Sequence, residues 1–248
     1  MVAPGAETLP QQEVLGVPVA VVSMDAAVAA IGDLLETPEL DLVFTADSQG
    51  IYLAQKDAEL RAAYRATAFN TPDSNGVAWA LRRQGTSVTR VTGVDLAERL
   101  LALCAERGHT VFLLGAAPGV AAEAAENMQA KYPGLIVAGT RDGYWTDDEE
   151  LVVVEEVKAS GARLLLVALG IPRQEKFLVK HRGELGARVG IGVGGTFDVW
   201  SGRVKRAPRL VQALRMEWLW RVLLNPKKIG KVAVLPRFAL RVLKTRRS

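Results

Sequence analysis

Pro72-Asp73-Ser74-Asn75-Gly76 sets an aspartate in a polar turn directly after an apolar run, where its carboxylate could take a proton from a substrate hydroxyl as a general base. The alternative is a turn aspartate capping a helix that begins near Gly76, and spacing leaves both readings open. Thr45 and Asp47 offer a hydroxyl and a carboxylate to a ligand hydroxyl or phosphate, and equally suit a helix cap. Gly115-Ala116-Ala117-Pro118-Gly119 has the make-up of a strand-to-helix turn whose free amides cradle a phosphate. It lacks the full dinucleotide fingerprint, and such glycines also serve close packing. Gly192-Val193-Gly194-Gly195, followed by Asp198, is permissive in the same way. In Gly170-Ile171-Pro172-Arg173-Gln174-Glu175 a cation, an amide and a carboxylate share one helical first turn. Arg173 and Gln174 suit a nucleotide or sugar; alternatively this is a solvated first turn in which Glu175 favours the helix dipole. Arg90 is a candidate partner for a diphosphate.

Other chemistries are excluded by what the chain lacks. The two histidines, His109 and His181, have no Cys/His partner at metal-ligand spacing, which argues against zinc. No Asp-x-Asp pair is present to hold a metal on a nucleotide diphosphate, so leaving-group charge falls to arginines and helix amides. The single cysteine, Cys104, rules out an internal disulfide framework and fits a reducing compartment. Residues 1–16 show neither the basic nor the apolar region of a secretory signal.

The elements that must position these residues alternate. Apolar runs predict strands at Val19–Val22, Leu42–Thr45, Ala66–Phe69, Thr110–Leu114, Leu135–Ala138, Leu164–Leu169 and Val189–Val193. Helix formers fill the intervals Asp25–Leu35, Gln49–Tyr64 with a break near Asp57, Gly76–Gln84, Asp95–Arg107, Pro118–Lys131, Asp147–Ser160 and Pro172–His181. Start signals are Asp25 as an N-cap, a Thr146/Glu149 capping box, and Pro118 and Pro172 in first turns. The pattern predicts an α/β, Rossmann-like fold with a mainly parallel sheet covered on both faces and ligands at the carboxyl ends of its strands.

The charge is divided along the chain. Of 248 residues, 31 are Lys or Arg and 27 Asp or Glu, for a net charge of +4. From Arg203 onward there are 14 basic residues against one acid, Glu217, which leaves 17 basic and 26 acidic before it. The sequence thus predicts a catalytic domain over 1–202 and a basic helical appendage over 203–248 that meets something anionic. Pro208–Leu224 carries Trp218 and Trp220 among leucines with Arg209, Arg215 and Arg221; Lys227–Lys244 spaces Arg237, Arg241 and Lys244 along one helical stripe. Neither stretch is long and uncharged enough to span a bilayer, and both suit a helix lying in a membrane interface.

The ordered set Pro72-Asp73, Thr92-Gly93-x-Asp95, Phe112-Leu113-Leu114-Gly115, Asp142-Gly143-Tyr144, Leu169-Gly170-x-Pro172-x-Gln174-Glu175, Gly192-Val193-Gly194-Gly195-x-Phe197-Asp198, Gly202, Arg206-Ala207-Pro208, Glu217-Trp218-x-x-Arg221 and Asn225-Pro226 resembles the WecG/TagA/CpsF family of glycosyltransferases, from about Leu15 to about Arg241. The resemblance implies a bacterial, inverting, metal-independent enzyme without a cofactor. It would move a sugar, commonly of the N-acetylmannosamine type, from a UDP donor to a polyprenyl-diphosphate-linked acceptor in cell-surface polysaccharide synthesis. It further implies that Asp73 is the catalytic base and Thr45 the other essential residue. Asp47, Arg90, Gly115, Gln174, Gly195 and Asp198 fall on substrate-binding positions, and Arg215 and Arg221 where appendage arginines reach the diphosphate. The appendage would bring the enzyme to the inner face of the plasma membrane and help complete the site. Asp47 stands where the family usually has asparagine, Ser74-Asn75 replaces the usual glycine, and Met216 replaces a leucine; an added negative charge at Asp47 would oppose an anionic sugar or phosphate.

Two other readings of the residues remain: a nucleotide-dependent oxidoreductase on a Rossmann-like sheet, and a protein binding nucleic acid through its tail. The tryptophans and leucines of the tail fit an anionic membrane surface better than nucleic acid. Whether the chain forms a homo-oligomer is left open.

Overall fold

The structure is a computed structural model that describes residues 9–205, 207–208, 211, 220 and 234–245. It opens with a hairpin, β1 (Gln11–Val14) and β2 (Val17–Ala20), turned through Leu15 and Gly16 with positive φ of 51° and 77°, as a two-residue loop matched to strand twist demands. Then follow α1 (Met24–Leu34), β3 (Asp41–Ala46), α2 (Ser48–Ala54), α3 (Ala58–Arg65), β4 (Phe69–Pro72), α4 (Asn75–Arg83), α5 (Gly93–Arg107), β5 (Thr110–Gly115), α6 (Val120–Lys131), β6 (Ile136–Arg141), α7 (Glu150–Ala159), β7 (Leu164–Ala168), α8 (Arg173–Lys180), β8 (Val189–Gly192) and α9 (Thr196–Trp200), with α10 (Val234–Lys244) near the end.

Six strands form one parallel sheet in the order β4-β3-β8-β7-β5-β6. Period-two alternation splits its side chains between two cores. Leu42, Phe44, Phe112, Leu114, Leu165 and Val167 meet α2, α3, α4, α7, α8 and α10 on one face. Val43, Val111, Leu113, Leu164, Leu166 and Ile191 meet α1, α5, α6 and α9 on the other. The α/β reading holds, with helices on both faces.

Three local expectations are corrected. The strand expected at Ala66–Phe69 lies later, because α3 runs through Arg65 and only from Phe69 does the chain pair with β3; Asn70 and Thr71 are buried strand residues, not loop. Pro72 is tolerated because β4 is the sheet's edge strand. The N-cap of α1 is Ser23, whose hydroxyl accepts from the Ala26 N–H at 3.2 Å, rather than Asp25. Strand β1 went unread because Gln-Gln-Glu-Val shows no apolar alternation. The break near Asp57 is present, with Asp57 capping α3 at Leu60, and the Thr146 N–H donates to Glu149 Oε2 at 2.9 Å.

Candidate functional site

Register brings the candidate residues together. Ala46 pairs with Pro72, so Asp47 and Asp73 leave adjacent strand ends side by side, and the Asp73 N–H donates to the Ala46 carbonyl at 3.1 Å. One residue earlier, Thr45 lies opposite Thr71. Asp73 does not cap α4. Ser74 does, accepting from the Val77 N–H at 3.2 Å, while Asp73 Oδ1 accepts from the Gly93 N–H at 2.7 Å. The Thr45 side chain packs against that same Gly93, so the carboxylate and the hydroxyl converge on one residue at the start of α5. Thr45 is 8 % exposed and donates to the Gly192 carbonyl at 2.9 Å, tying β3 to β8 where both strands end. Its oxygen lone pairs remain chemically suited to a donor from a ligand.

Asp47 spends its charge locally. Its Oδ1 accepts from the Gly50 N–H at 2.7 Å as the N-cap of α2, where the helix dipole favours an anion. Ser74 joins the two turns: its hydroxyl accepts from the Ser48 N–H at 3.2 Å and lies 2.9 Å from the Ser48 hydroxyl. Ser74 thus links the Asp47 turn to the Asp73 turn. Half-buried Arg90 precedes Val91, whose N–H donates to the Pro72 carbonyl at 3.0 Å, which sets this arginine's segment beside the Asp73 strand end.

On the far side of β3, Gly194 and Gly195 follow β8 and Gln174 follows β7. In the first turn of α8 only Arg173 faces solvent: Gln174 is 2 % and Glu175 1 % exposed. Gln174 Oε1 accepts from the Gly170 and Gly194 N–H groups, each at 3.2 Å, and its Nε2 donates to Glu175 Oε1 at 2.8 Å. Glycine at 192 permits this: a Cβ there would stand 2.7 Å from Gln174 Nε2. Burial pushes the Glu175 carboxyl up to about 7, with the Asp47 charge adding to the rise against the Gln174 hydrogen bond. Asp198 sits in the short α9, its backbone carbonyl accepting from the Val204 N–H at 2.9 Å. Gly115 ends β5 at a φ of 122°, where a Cβ would press to 2.6 Å on the Ala168 carbonyl; that glycine is required by the backbone whatever binds there. Asp73, Thr45, Asp47, Gly195, Gln174 and Gly115 therefore mark the carboxyl ends of five adjacent strands. Exposed Arg173 lies over the Trp145 ring at 4.4 Å and donates to the Gly143 carbonyl at 2.6 Å. Arg215, Arg221, Trp218 and Met216 lie outside the described residues.

Among the described residues no group of three or more His, Cys, Asp and Glu side chains is placed to hold a metal ion, and no helix is long and apolar enough to cross a membrane. Helix α10 buries Phe238 and Val242 against α2 and α4, with Phe238 reaching Gly76 in the first turn of α4. It leaves Leu240 and Leu243 exposed beside Arg237 and Arg241, the latter 5.6 Å over the Tyr52 ring.

Residues 12–248 match the WecG/TagA/CpsF family of glycosyl transferases. The chain belongs to that family. It is a glycosyltransferase, and among its relatives is an N-acetylglucosaminyldiphosphoundecaprenol N-acetyl-β-D-mannosaminyltransferase of Bacillus spizizenii, 34 % identical over 231 residues that cover 91 % of this chain and 89 % of the relative. In this WecG/TagA/CpsF member, sequence reasoning missed three contributors to the crevice. Gly93 supplies the amide that holds Asp73, Ser48 meets Ser74, and Glu175 anchors Gln174. The first two join segments more than a dozen residues apart and the third is a buried contact between neighbours, none of which residue type alone announces.

Proposed function

We propose that this enzyme transfers an N-acetylmannosamine-type sugar from a UDP donor to a polyprenyl-diphosphate-linked acceptor sugar, with inversion and without a metal. The observation that supports it most is the convergence of Asp73 and Thr45 on Gly93 at adjacent strand ends, in a chain whose relative acts on a diphosphoundecaprenol-linked sugar. Asp73 removes the proton of the acceptor hydroxyl as that oxygen attacks the anomeric carbon, and the bond to UDP breaks on the opposite face. The Gly93 N–H keeps the Asp73 carboxylate aimed at the crevice. Arg90 and the appendage arginines Arg215 and Arg221 take up charge developing on the departing diphosphate. The sequence holds no Asp-x-Asp pair for a metal to do so. Thr45, Asp47, Gly115, Gln174, Gly195 and Asp198 form the donor side of the crevice.

Residues 1–202 form the catalytic domain, and 203–248 help complete the site and lie on the anionic inner face of the bacterial plasma membrane, where the lipid-linked acceptor resides. Exposed Leu240 and Leu243 beside cations on α10 support this placement. The test is a panel of UDP-sugars with a short-chain polyprenyl-diphosphate acceptor, following UDP release and product configuration with and without EDTA. Transfer from UDP-N-acetylmannosamine that survives EDTA and is lost in Asp73→Asn is the expected result. Wild-type turnover by Asp73→Asn refutes the assignment of the base.

A further inference from the structure

The Gln174 amide has four hydrogen-bonding valences: two lone pairs on its oxygen and two N–H bonds. The oxygen is committed to two backbone N–H groups, those of Gly170 after β7 and Gly194 after β8. One N–H is committed to Glu175 Oε1. Turned over, the amide would set its NH2 against two N–H donors and its oxygen against a carboxylate, three mismatches in a site only 2 % exposed. Glu175 is thus the one side chain that acts with the two backbone N–H groups to fix which way the amide faces, and one Gln174 N–H is left over among the described residues.

We propose that Glu175 is a positioning residue for sugar transfer: by holding the Gln174 amide in this single orientation it sets the Gly170 and Gly194 turns at their working separation and leaves one N–H of Gln174 for the donor. Glu175 is 1 % exposed, and its second oxygen, Oε2, has no hydrogen-bond partner among the described residues. The groups that face it are unfavourable to a charge: Asp47 from the turn after β3 raises its proton affinity, and the buried Tyr64 of α3, whose hydroxyl packs against Gly50, is itself pushed up by burial and by the Glu175 charge. A leucine would fill such a place at lower cost in stability.

The proposal rests on the reading of the crevice as the transfer site, so Asp73→Asn is assayed alongside. Glu175→Leu, checked for folding by near-ultraviolet circular dichroism, is expected to lose about 100-fold in kcat/KM, the scale of a misplaced contact. Glu175→Gln, whose amide oxygen can still accept from Gln174, is expected to recover most of that loss, and to lack an inflection near pH 7 seen in the wild-type rate profile. If leucine prevents folding, Glu175→Met replaces it. In a Gln174→Met background, substitution of Glu175 is expected to cost nothing further. A folded Glu175→Leu or Glu175→Met with wild-type kcat/KM overturns the proposal, as does a Glu175→Gln as impaired as the apolar variants. If Asp73→Asn also keeps full activity, the reading of the site fails instead.

Discussion

Replacing Glu175 by glutamine has a consequence for stability that can be worked out with its sign. In the folded chain burial raises the carboxyl from an ordinary 4.5 to about 7. Between those values the unfolded chain has released a proton that the folded chain still holds, so the unfolded state binds fewer protons and stability falls as the pH rises. The contribution is fully present below about pH 4.5 and is lost as the pH passes through about 7. At about 1.36 kcal/mol per unit, integration from about pH 5 to about pH 8.5 gives a loss of about 2 to 3 kcal/mol in the wild type. Glu175→Gln has no proton to release there. Groups that do not interact with Glu175 titrate alike in both proteins and cancel in the difference. Urea denaturation at closely spaced pH values is therefore expected to show the variant gaining about 2 to 3 kcal/mol on the wild type across this range. Asp47→Asn, which removes a like charge that pushes Glu175 up, moves the step to lower pH. A wild-type-to-variant difference that stays constant from about pH 5 to about pH 8.5 refutes the reasoning.

Other expected outcomes follow from single contacts. Asp73→Asn should lower kcat by about 10²- to 10⁴-fold, the range of a lost general base, in a UDP-release assay. The asparagine oxygen can still accept from the Gly93 N–H, so the variant should remain folded by circular dichroism. Thr45→Val removes the hydroxyl from the Gly192 carbonyl and should destabilise by about 1–3 kcal/mol in chemical denaturation, with Thr45→Ser largely restoring it. Ser74→Ala removes the α4 cap and the tie to Ser48 and should cost about 1 kcal/mol. Leu240→Ser with Leu243→Ser should weaken co-sedimentation with anionic liposomes without lowering the melting temperature, because both side chains are at least half exposed.

The layered architecture was legible because strands buried on both faces read as unbroken apolar runs, as in Leu164-Leu165-Leu166-Val167, while capped helices lay between them. Asp73 and Thr45 were legible as residues after apolar runs, yet which hydrogen bonds they make was not. Asp73 and a capping aspartate look alike in one dimension, and the difference is made by Gly93, twenty residues away and brought near only when α5 starts beside β4. The burial of Glu175 had no signature either. In a first turn the helix dipole predicts a solvated carboxylate, and only the packing of α8 against Gly190 and Gly192 puts this one inside.

The docking of α10 bears on how the protein can be dissected. Phe238 and Val242 are 2 % and 5 % exposed in contact with α2 and α4, so the C-terminal helix is a plug in the same apolar layer that backs the sheet. A chain cut after Gly202 would carry an uncovered greasy socket where that plug had been. Such a fragment would stick to vesicles, to resins and to its own copies for reasons unrelated to the basic segment it lost. The tail's contribution to lipid affinity is therefore read cleanly from surface substitutions on an intact chain, and a shortened one would mistake an open wound for a binding site.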